Sequence, residues 1–564
     1  MAQKAIIYQV LPRLFGNLSQ NNEPHGDIRT NGSGKFNSFT DEVLTHFKNF
    51  GITHMWYTGI IEHATETDYS EYNIVKDYPE VIKGKAGSPY AIKDYYDVDP
   101  DLADHVPDRM HEFEALVHRT HQAGMKVVID FIPNHLARQY QSDSKPEGVH
   151  DFGEDDYTGA LFNTHNNFYY LPDTEFKSPE LKPGEAQKWK ESPARATGND
   201  CYSPTPGEHD WYETVKLNYG VDPNNGHKHH FDPIPDTWQK MRDILLYWAG
   251  KGVDGFRCDM AAMVPVEFWD WCIKEVKRVH PHLVFIAEVY QPVLYERYIY
   301  TGGFDWLYDK VGFYDSMIGV LKGERPASDL TQAWSNIERY SDRMLFFLEN
   351  HDEQRLASDF LLKNGKAAIP GFIMAAAFSR NPLMLYFGQE IGESGMDQEG
   401  FSGPDGRTTI FDYWAVGSIK RFYKHLNNGE AHLQEPELSL KSQYERIIQL
   451  VNQHEALNTG ELYDLMWCNQ SQDGCDCSKI YAWLRFTQEE IFLLVVNFSD
   501  EDQNCRIKIP EHAFQSIGVD ESKYFRGRDL LFNKLKVQFP GEVAYTTGCG
   551  IGVAARSGAI IKLE

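Results

Sequence analysis

Four short stretches of this 564-residue sequence end in side chains that can perform acid–base chemistry. They read DFIPNH at residues 130–135, GFRCD at 255–259, AE at 287–288 and ENHD at 349–352. Cleavage of a glycosidic bond with retention needs two carboxyl groups about 5–5.5 Å apart, one to attack the anomeric carbon and one to protonate the leaving oxygen. The acids Asp259, Glu288 and Asp352 suit that chemistry if the fold brings them together.

The segments before these acids predict strands that alternate with helices. In DRMHEFEALVHRTHQAGMKVVIDF, Asp108 can cap a helix and Gly124 can end it in the left-handed conformation before a buried strand. The same pattern recurs before Asp259 and Glu288, and further apolar runs bring the strand count towards eight. We therefore predict an α/β fold, a (β/α)8 TIM barrel whose polar strand ends meet at one rim.

Two regions depart from this repetition. The roughly 100 residues between the strand that ends near His135 and the next barrel helix are far longer than an ordinary βα loop, which predicts an inserted subdomain after strand 3 over residues 136–234. After about residue 460 the pattern changes to alternating strand-like runs, which predicts a C-terminal antiparallel β-sandwich domain over 460–564. The barrel is then expected over 1–135 and 235–459.

Composition and charge exclude several kinds of partner. With 55 basic and 82 acidic residues the formal charge is −27, which disfavours nucleic acid and anionic membrane surfaces. We find no signal peptide and no apolar run near the roughly 20 residues that cross a bilayer, so we expect a cytoplasmic location and no membrane contact. The 8 scattered cysteines favour reduced thiols. A neutral carbohydrate is compatible with all of this.

Taken in order, the four stretches resemble the short signature regions of the α-amylase family of retaining glycoside hydrolases. The resemblance covers about the first 460 residues and implies a role for each acid. Asp259 would be the nucleophile that forms a covalent glycosyl intermediate, and Glu288 the general acid/base. Asp352 would grip sugar hydroxyls and favour the distorted transition state.

The same resemblance predicts four substrate-binding residues. Arg257 lies two residues before Asp259, so both side chains face the same way on a strand, and we expect the guanidinium to lower the pKa of Asp259. His135 and His351 match a pair of histidines that hydrogen-bond the glucose at the cleaved bond. Tyr90 matches a tyrosine that stacks on that glucose.

The sequence departs from the family pattern where relatives bind calcium. Many of them use an Asn, here Asn134, and an Asp from a later motif whose nearest match here contains Lys216. An ammonium at that point could replace the cation, so we predict that no cofactor is required and doubt a structural calcium ion. The histidine-rich run at 227–230 lacks a metal-ligand spacing, so we predict no other metal site.

Two further departures concern the substrate. The residues after the nucleophile, Met260 to Met263, give a less polar acceptor side than the Lys-His of many relatives. Ala91 stands where enzymes that release single terminal glucoses have an Asp after the tyrosine, which favours a site open to longer chains. We therefore predict α-amylase-type hydrolysis of α-glucans or maltooligosaccharides. Alternatives are a transglycosylase, isomerase or α-glucosidase of the same family, or a catalytically silent sugar-binding relative.

Overall fold

The computed structural model describes residues 3–181, 186–428, 432–469, 474–533 and 535–564. Eight parallel strands form a barrel: β1 (Ile6–Val10), β2 (His54–Tyr57), β3 (Lys126–Phe131), β4 (Gly255–Cys258), β5 (Val284–Ala287), β6 (Trp306–Tyr308), β7 (Met344–Leu345) and β8 (Leu383–Tyr386). They follow one another around the sheet, and β1 pairs with β8. A parallel bridge between Phe346 and Leu383 joins the two ends. The predicted TIM barrel is confirmed.

Helices cover the outside of this barrel. They span Ile28–Asn31, Asp41–Phe50, Arg109–Gln122, Asp236–Gly250, Val266–Val279, Pro292–Tyr300, Asp315–Leu321, Asp329–Ser335, Ile369–Ala377, Gly417–Asn428, Glu435–Gln453 and Glu455–Asn458. Asp41–Phe50 shows the local logic: the Thr40 hydroxyl accepts a hydrogen bond from the backbone N–H of Val43, and Gly51 ends the helix at φ 111°. No helix in the described part of the chain is long and apolar enough to cross a membrane.

Large side chains fill the inside of the barrel. Seven strands contribute an inward residue to one cluster: Ile7, Trp56, Val128, Ile286, Tyr308, Leu345 and Met384. On β4 the matching position is taken by Arg257, which pairs in register with Ile286 on one side and Asp130 on the other. Because register partners in a parallel sheet point to the same face, one guanidinium replaces an apolar side chain at the barrel axis.

Two irregular regions rise above the rim. A hairpin of Ile61–His63 and Ile92–Val98 follows β2. The segment between β3 and helix Asp236–Gly250 contains the strand pairs His135–Ala137 with Thr214–Lys216, Tyr170–Leu171 with Ala194–Arg195, and Val221–Asp222 with Lys228–His229. Inside this segment Glu191 is buried and accepts hydrogen bonds of 2.7 Å from both Arg138 and Arg195.

The C-terminal region is an antiparallel β domain, as predicted. Its strands are β9 (Glu461–Asp464), β10 (Ile480–Phe486), β11 (Ile491–Asn497), β12 (Gln503–Ile507), β13 (Tyr524–Asp529), β14 (Lys536–Pro540), β15 (Cys549–Val553) and β16 (Ser557–Leu563), with helices Glu511–Ile517 and Gly541–Thr546. Six strands form one sheet in the order β9-β10-β11-β16-β13-β14, and β12 pairs with β15. A second apolar core lies within this domain.

One buried arginine connects the domain to the barrel. Arg485 of β10 is 0% exposed and donates to the carbonyls of Ala377, Ser379 and Gly460 at 3.0, 3.0 and 2.9 Å. The first two carbonyls lie at the C-terminal end of helix Ile369–Ala377, where the last peptide oxygens lack partners within the helix. The guanidinium therefore caps the helix that connects β7 and β8.

Replacement of this capping arginine should weaken the whole protein. Arg485→Leu removes one charged donor from each of three carbonyls, which keep one other donor each, from Trp483, Lys4 and Arg380. A hydrogen bond to a charged group contributes about 1.5–3 kcal/mol. We expect a clearly lower midpoint in thermal unfolding, whereas the matched control Arg526→Leu, on an exposed strand position of the same domain, should change it little. Equal midpoints for both variants would contradict the capping role.

Candidate active site

The strand ends meet in a cavity of about 470 Å³ at the C-terminal rim of the barrel. It is lined by the predicted residues Tyr90, His135, Asp259, Glu288, His351 and Asp352, and also by Lys83, Ser88, Trp211, Glu213, Thr214, Met260, Tyr290, Glu353, Arg407, Ile410 and Phe411. Arg257, the seventh predicted residue, lies fully buried directly beneath Asp259 and Glu288. The structure therefore brings all seven predicted residues together.

Arg257 is the electrostatic centre of the site. Its Nη1 donates to Oδ1 of Asp259 at 2.7 Å and lies 3.5 Å from Oδ1 of Asp130, while its Nη2 lies 2.8 Å from Oε2 of Glu288. Its Nε donates to the hydroxyl of Tyr308 at 3.3 Å. Two acids that contact one planar guanidinium are held close together, as a pair that flanks one glycosidic bond must be.

The pKa of Asp259 lies above its ordinary value. Burial of the carboxylate raises it most, Arg257 lowers it, and the negative charge of Asp352 raises it again. Arg257 lowers the pKa of Asp259, as expected, but the loss of hydration outweighs the guanidinium, so the pKa remains above its ordinary value. The neighbouring Glu288 side chain also lowers the pKa of Asp259.

Glu288 is held by two donors that the sequence did not reveal. Its Oε1 accepts from the hydroxyl of Tyr290 at 2.5 Å, and its Oε2 accepts from the backbone N–H of Met260 at 2.8 Å. Met260 has φ 43°, in the left-handed region that a branchless glycine adopts more easily. The turn directly after Asp259 thus directs a backbone donor at the Glu288 carboxyl.

His351 connects three other groups of the site. Its Nδ1 accepts from the Gln9 amide at 2.8 Å, and its Nε2 lies 2.6 Å from the Tyr90 hydroxyl and 3.1 Å from Oδ2 of Asp352. The Tyr90 ring stacks on the imidazole with centroids 5.0 Å apart. Burial lowers the pKa of His351 to about 3, so the ring is neutral at physiological pH. Gln9, at the end of β1, was not predicted.

Asp352 stands at the mouth of the cleft. Desolvation by the cleft walls, followed by repulsion from Glu288, raises the pKa of Asp352 to about 6. Arg257 and Arg407 act in the opposite direction. The carboxylate is ionised above that pH and can then accept hydrogen bonds from two hydroxyls.

His135 lines the cavity, and Lys216 lies behind it in contact with Asn134. Nδ1 of His135 contacts Nδ2 of Asn134 at 3.0 Å, and burial followed by the charge of Lys216 lowers the pKa of His135 to about 3. The Lys216 ammonium donates to Oδ1 of Asn134 and lies 2.9 Å from Oδ1 of Asp200 and 3.5 Å from the carbonyl of Met263. Oxygens of this kind are calcium ligands in proteins, and the ammonium lies among them.

A fourth carboxylate completes the floor of the site. Asp130 is buried, accepts from the Trp56 indole at 2.9 Å and from the Tyr90 hydroxyl at 3.3 Å, and contacts Arg257. Burial raises the pKa of Asp130 to about 7, against the opposing charge of Arg257. The strand alternation that placed Arg257 inward could have placed its register partner Asp130 inward as well.

Comparison with known proteins finds one matching family and several related proteins. Residues 9–301 match the family described as alpha amylase, catalytic domain. Neopullulanase 2 of Thermoactinomyces vulgaris is 22% identical over 534 residues, which cover 90% of this chain and 72% of that protein. An alpha-1,4-glucan:maltose-1-phosphate maltosyltransferase of Picrophilus torridus is 43% identical over 313 residues, 55% of this chain and 43% of that protein. The structure of an alpha-amylase from Geobacillus thermoleovorans complexed with acarbose superposes with a TM-score of 0.63 at 18% identity, covering 100% of this chain and 98% of the other.

Loss of the carboxylate next to Arg257 should stop turnover without unfolding the protein. Asp259→Asn keeps the shape of the side chain but removes the anion, so we expect kcat on maltoheptaose to fall by at least about 1,000-fold. Circular dichroism and the thermal midpoint should show an intact fold. Asp270→Asn, on the surface of a neighbouring helix, is the control and should keep its activity. Retained turnover in Asp259→Asn would refute the nucleophile assignment.

The raised pKa of Asp130 should make the free energy of unfolding depend on pH. The folded state binds this proton more tightly than the unfolded state, whose pKa is about 4, so Asp130 lowers the free energy of unfolding as pH rises from about 4 to 7. In urea titrations at pH 5, 6, 7 and 8, Asp130→Asn should lose less stability over that range than the parent. Asp104→Asn, an exposed acid, is the control, and parallel curves for parent and Asp130→Asn would contradict the assignment.

Proposed function

This chain belongs to the α-amylase family of glycoside hydrolases, and we propose that it hydrolyses α-linked glucans or maltooligosaccharides with retention through a covalent intermediate on Asp259. The observation that carries the proposal is the contact of one buried guanidinium, that of Arg257, with both Asp259 and Glu288. This contact supplies the closeness of two carboxyl groups on which the retaining reaction depends.

The proposed reaction has two steps. First, Asp259 attacks the anomeric carbon while Glu288 gives its proton to the glycosidic oxygen, so the bond between the sugar and its leaving group breaks. In the second step the Glu288 carboxylate takes a proton from water, whose oxygen displaces Asp259 and releases the sugar. The donors from Tyr290 and Met260 keep Glu288 oriented through both steps.

Polar and flat groups around the cavity support a sugar as the substrate. Tyr90 offers a ring face, and the neutral imidazoles of His135 and His351 can each donate or accept a hydrogen bond. A cavity of about 470 Å³ suits a small portion of an oligosaccharide. The names of the related neopullulanase and of the amylase complexed with acarbose favour an α-glucan.

Lys216 favours a calcium-free junction between barrel and inserted segment. Its ammonium contacts the oxygens of Asn134 and Asp200 and supplies a fixed positive charge between them. We therefore infer that no calcium ion takes part at this position. The reaction proposed above uses only groups of the chain and water.

One observation favours a second candidate, release of a terminal unit from the chain. Ala91, expected to open the cleft, is instead packed in a small apolar cluster with Ile82. The cleft wall beside Tyr90 is built by Lys83 and Glu213, whose charged atoms lie 3.0 Å apart and whose side chains are buried. An ion pair that links the Tyr90 segment to the inserted segment can block one end of the cleft.

The acceptor side offers room for a sugar. Met260 lines the cleft, and Met263, three residues later, lines a second cavity of about 350 Å³. That cavity is walled by aromatic side chains: Tyr169, Tyr202, Tyr219, Tyr298, His227 and His229. Together with the partial likeness to a maltosyltransferase, this supports transfer to a second sugar as a side reaction.

Product analysis distinguishes these possibilities. With maltoheptaose as substrate we expect shorter maltooligosaccharides as products. Their amounts are measured by chromatography at successive times. Glucose as the sole early product would support terminal release, and products longer than maltoheptaose would support transfer. If maltoheptaose, starch, pullulan and sucrose all stayed intact while Asp259→Asn still bound them, the chain would be a sugar-binding relative without activity.

A further inference from the structure

Carboxylates from three parts of the chain converge behind the wall that carries Tyr90. Glu62 belongs to strand Ile61–His63, Asp94 to strand Ile92–Val98, and Asp143 to the start of the inserted segment. One carboxylate oxygen from each lies within 4.8 Å of the other two. Glu62 and Asp94 are 1% and 0% exposed, while Asp143 is accessible from outside.

Most acids of this region have protein donors. Asp94 accepts from the Ser142 hydroxyl at 2.7 Å and from the backbone N–H groups of Tyr96, Asp143 and Ser144. Asp97, on the same strand, is paired with Arg109 at 2.5 Å. These carboxylates are held in place by bonds that need no ligand.

Glu62 differs from its neighbours. Among the residues that the structure describes, its Oε2 is buried and has no hydrogen-bond partner. A buried carboxylate oxygen without a donor is strongly unfavourable unless a proton or a cation compensates it. Lys93, whose charge acts on Glu62, donates to Asp77 at 3.2 Å.

The local charge is unbalanced as well. The carboxylate of Glu62 lies near those of Asp94, Asp97 and Asp143 and is repelled by them. Arg109 contacts two of the four acids, with its guanidinium 2.5 Å from Asp97 and 3.7 Å from Asp143. Lys93 is the other nearby cation, and it is paired elsewhere. A single divalent cation would offset most of the remaining negative charge.

We propose that Glu62, Asp94 and Asp143 form a binding site for a divalent cation, calcium before magnesium. The donors are all oxygens, which hard cations prefer. Two ligands of one calcium ion, each about 2.3–2.6 Å from it, can be up to about 5 Å apart, whereas for magnesium the limit is about 4.2 Å. Oxygens that all lie within 4.8 Å of one another can share one calcium ion, whose flexible coordination suits an irregular set of ligands better than the octahedron that magnesium demands.

The cation would have a structural effect on the cleft. It would join the hairpin, whose second strand begins two residues after Tyr90, to the start of the inserted segment. Water entering past Asp143 would complete its coordination. This position is separate from the Asn134–Lys216 contact, where the ammonium fills the space. The proposal does not depend on the reaction catalysed.

The test uses the full chain, stripped with EDTA and dialysed, with calcium chloride alone as the probe. Isothermal titration should show calcium binding, and the thermal midpoint should rise with calcium concentration, because a ligand that binds only the folded state stabilises it. Magnesium should bind more weakly. Glu62→Gln, which keeps the shape but loses the charge, should weaken calcium binding at least about 10-fold.

Two controls make the outcome specific. Asp68→Asn, an exposed acid paired with Lys76, and Asp200→Asn, beside Lys216, should both bind calcium like the parent. Asp143→Asn, at an accessible position, should reproduce the loss if Glu62→Gln folds poorly. The proposal is overturned if calcium leaves the parent unchanged, if Glu62→Gln and Asp143→Asn bind it normally, or if Asp200→Asn alone abolishes binding. A metal-free Glu62→Gln that is more stable than a calcium-insensitive parent would identify a proton shared among the acids instead.

Discussion

The guanidinium of Arg257 holds together a group of buried carboxylates. Without its positive charge these carboxylates would repel one another, because bulk water does not reach them to screen their charges. The guanidinium reaches Asp259, Glu288 and Asp130 at once. Its charge also lies 5.5–5.6 Å from the ring centres of Trp56, Tyr90 and Tyr308, where aromatic faces favour a cation. A lysine could not replace it, because a point charge has no planar fork that separates two acids at fixed angles.

The barrel makes this arrangement possible. Inward positions of neighbouring strands lie side by side, so the residue at the inward position of β4 touches both β3 and β5. The acids lie at the C-terminal ends of the strands, where the strands continue into the loops of the rim. Farther away, Arg485 caps the helix between β7 and β8, which connects the stability of the C-terminal domain to the strand that presents His351 and Asp352.

Sequence alone could predict the parts of the site that are local. The barrel, the inserted segment and the strand-end acids follow from periodicity and from motifs of a few residues. Gln9 contacts His351, which lies hundreds of residues later in the sequence, and Lys83 comes from an irregular insertion. No local sequence pattern indicates such contacts. The pKa of Asp259 depends on how completely it is buried, which a sequence does not reveal. The sequence shows that Ala91 follows Tyr90, but it does not show whether the Ala91 side chain faces the cleft or an apolar core.

The two histidines of the cleft are neutral at physiological pH, because both are buried and have pKa values lowered to about 3. A substrate sugar therefore meets imidazoles that bring no positive charge, next to acids that outnumber the basic groups Lys83, Arg257 and Arg407. Such a cavity should bind a sugar mimic that carries an amine or another cation near its anomeric centre more tightly than the neutral sugar. In the proposed reaction the sugar would develop positive charge near its anomeric carbon, and this excess of negative charge would stabilise that species more than the resting substrate.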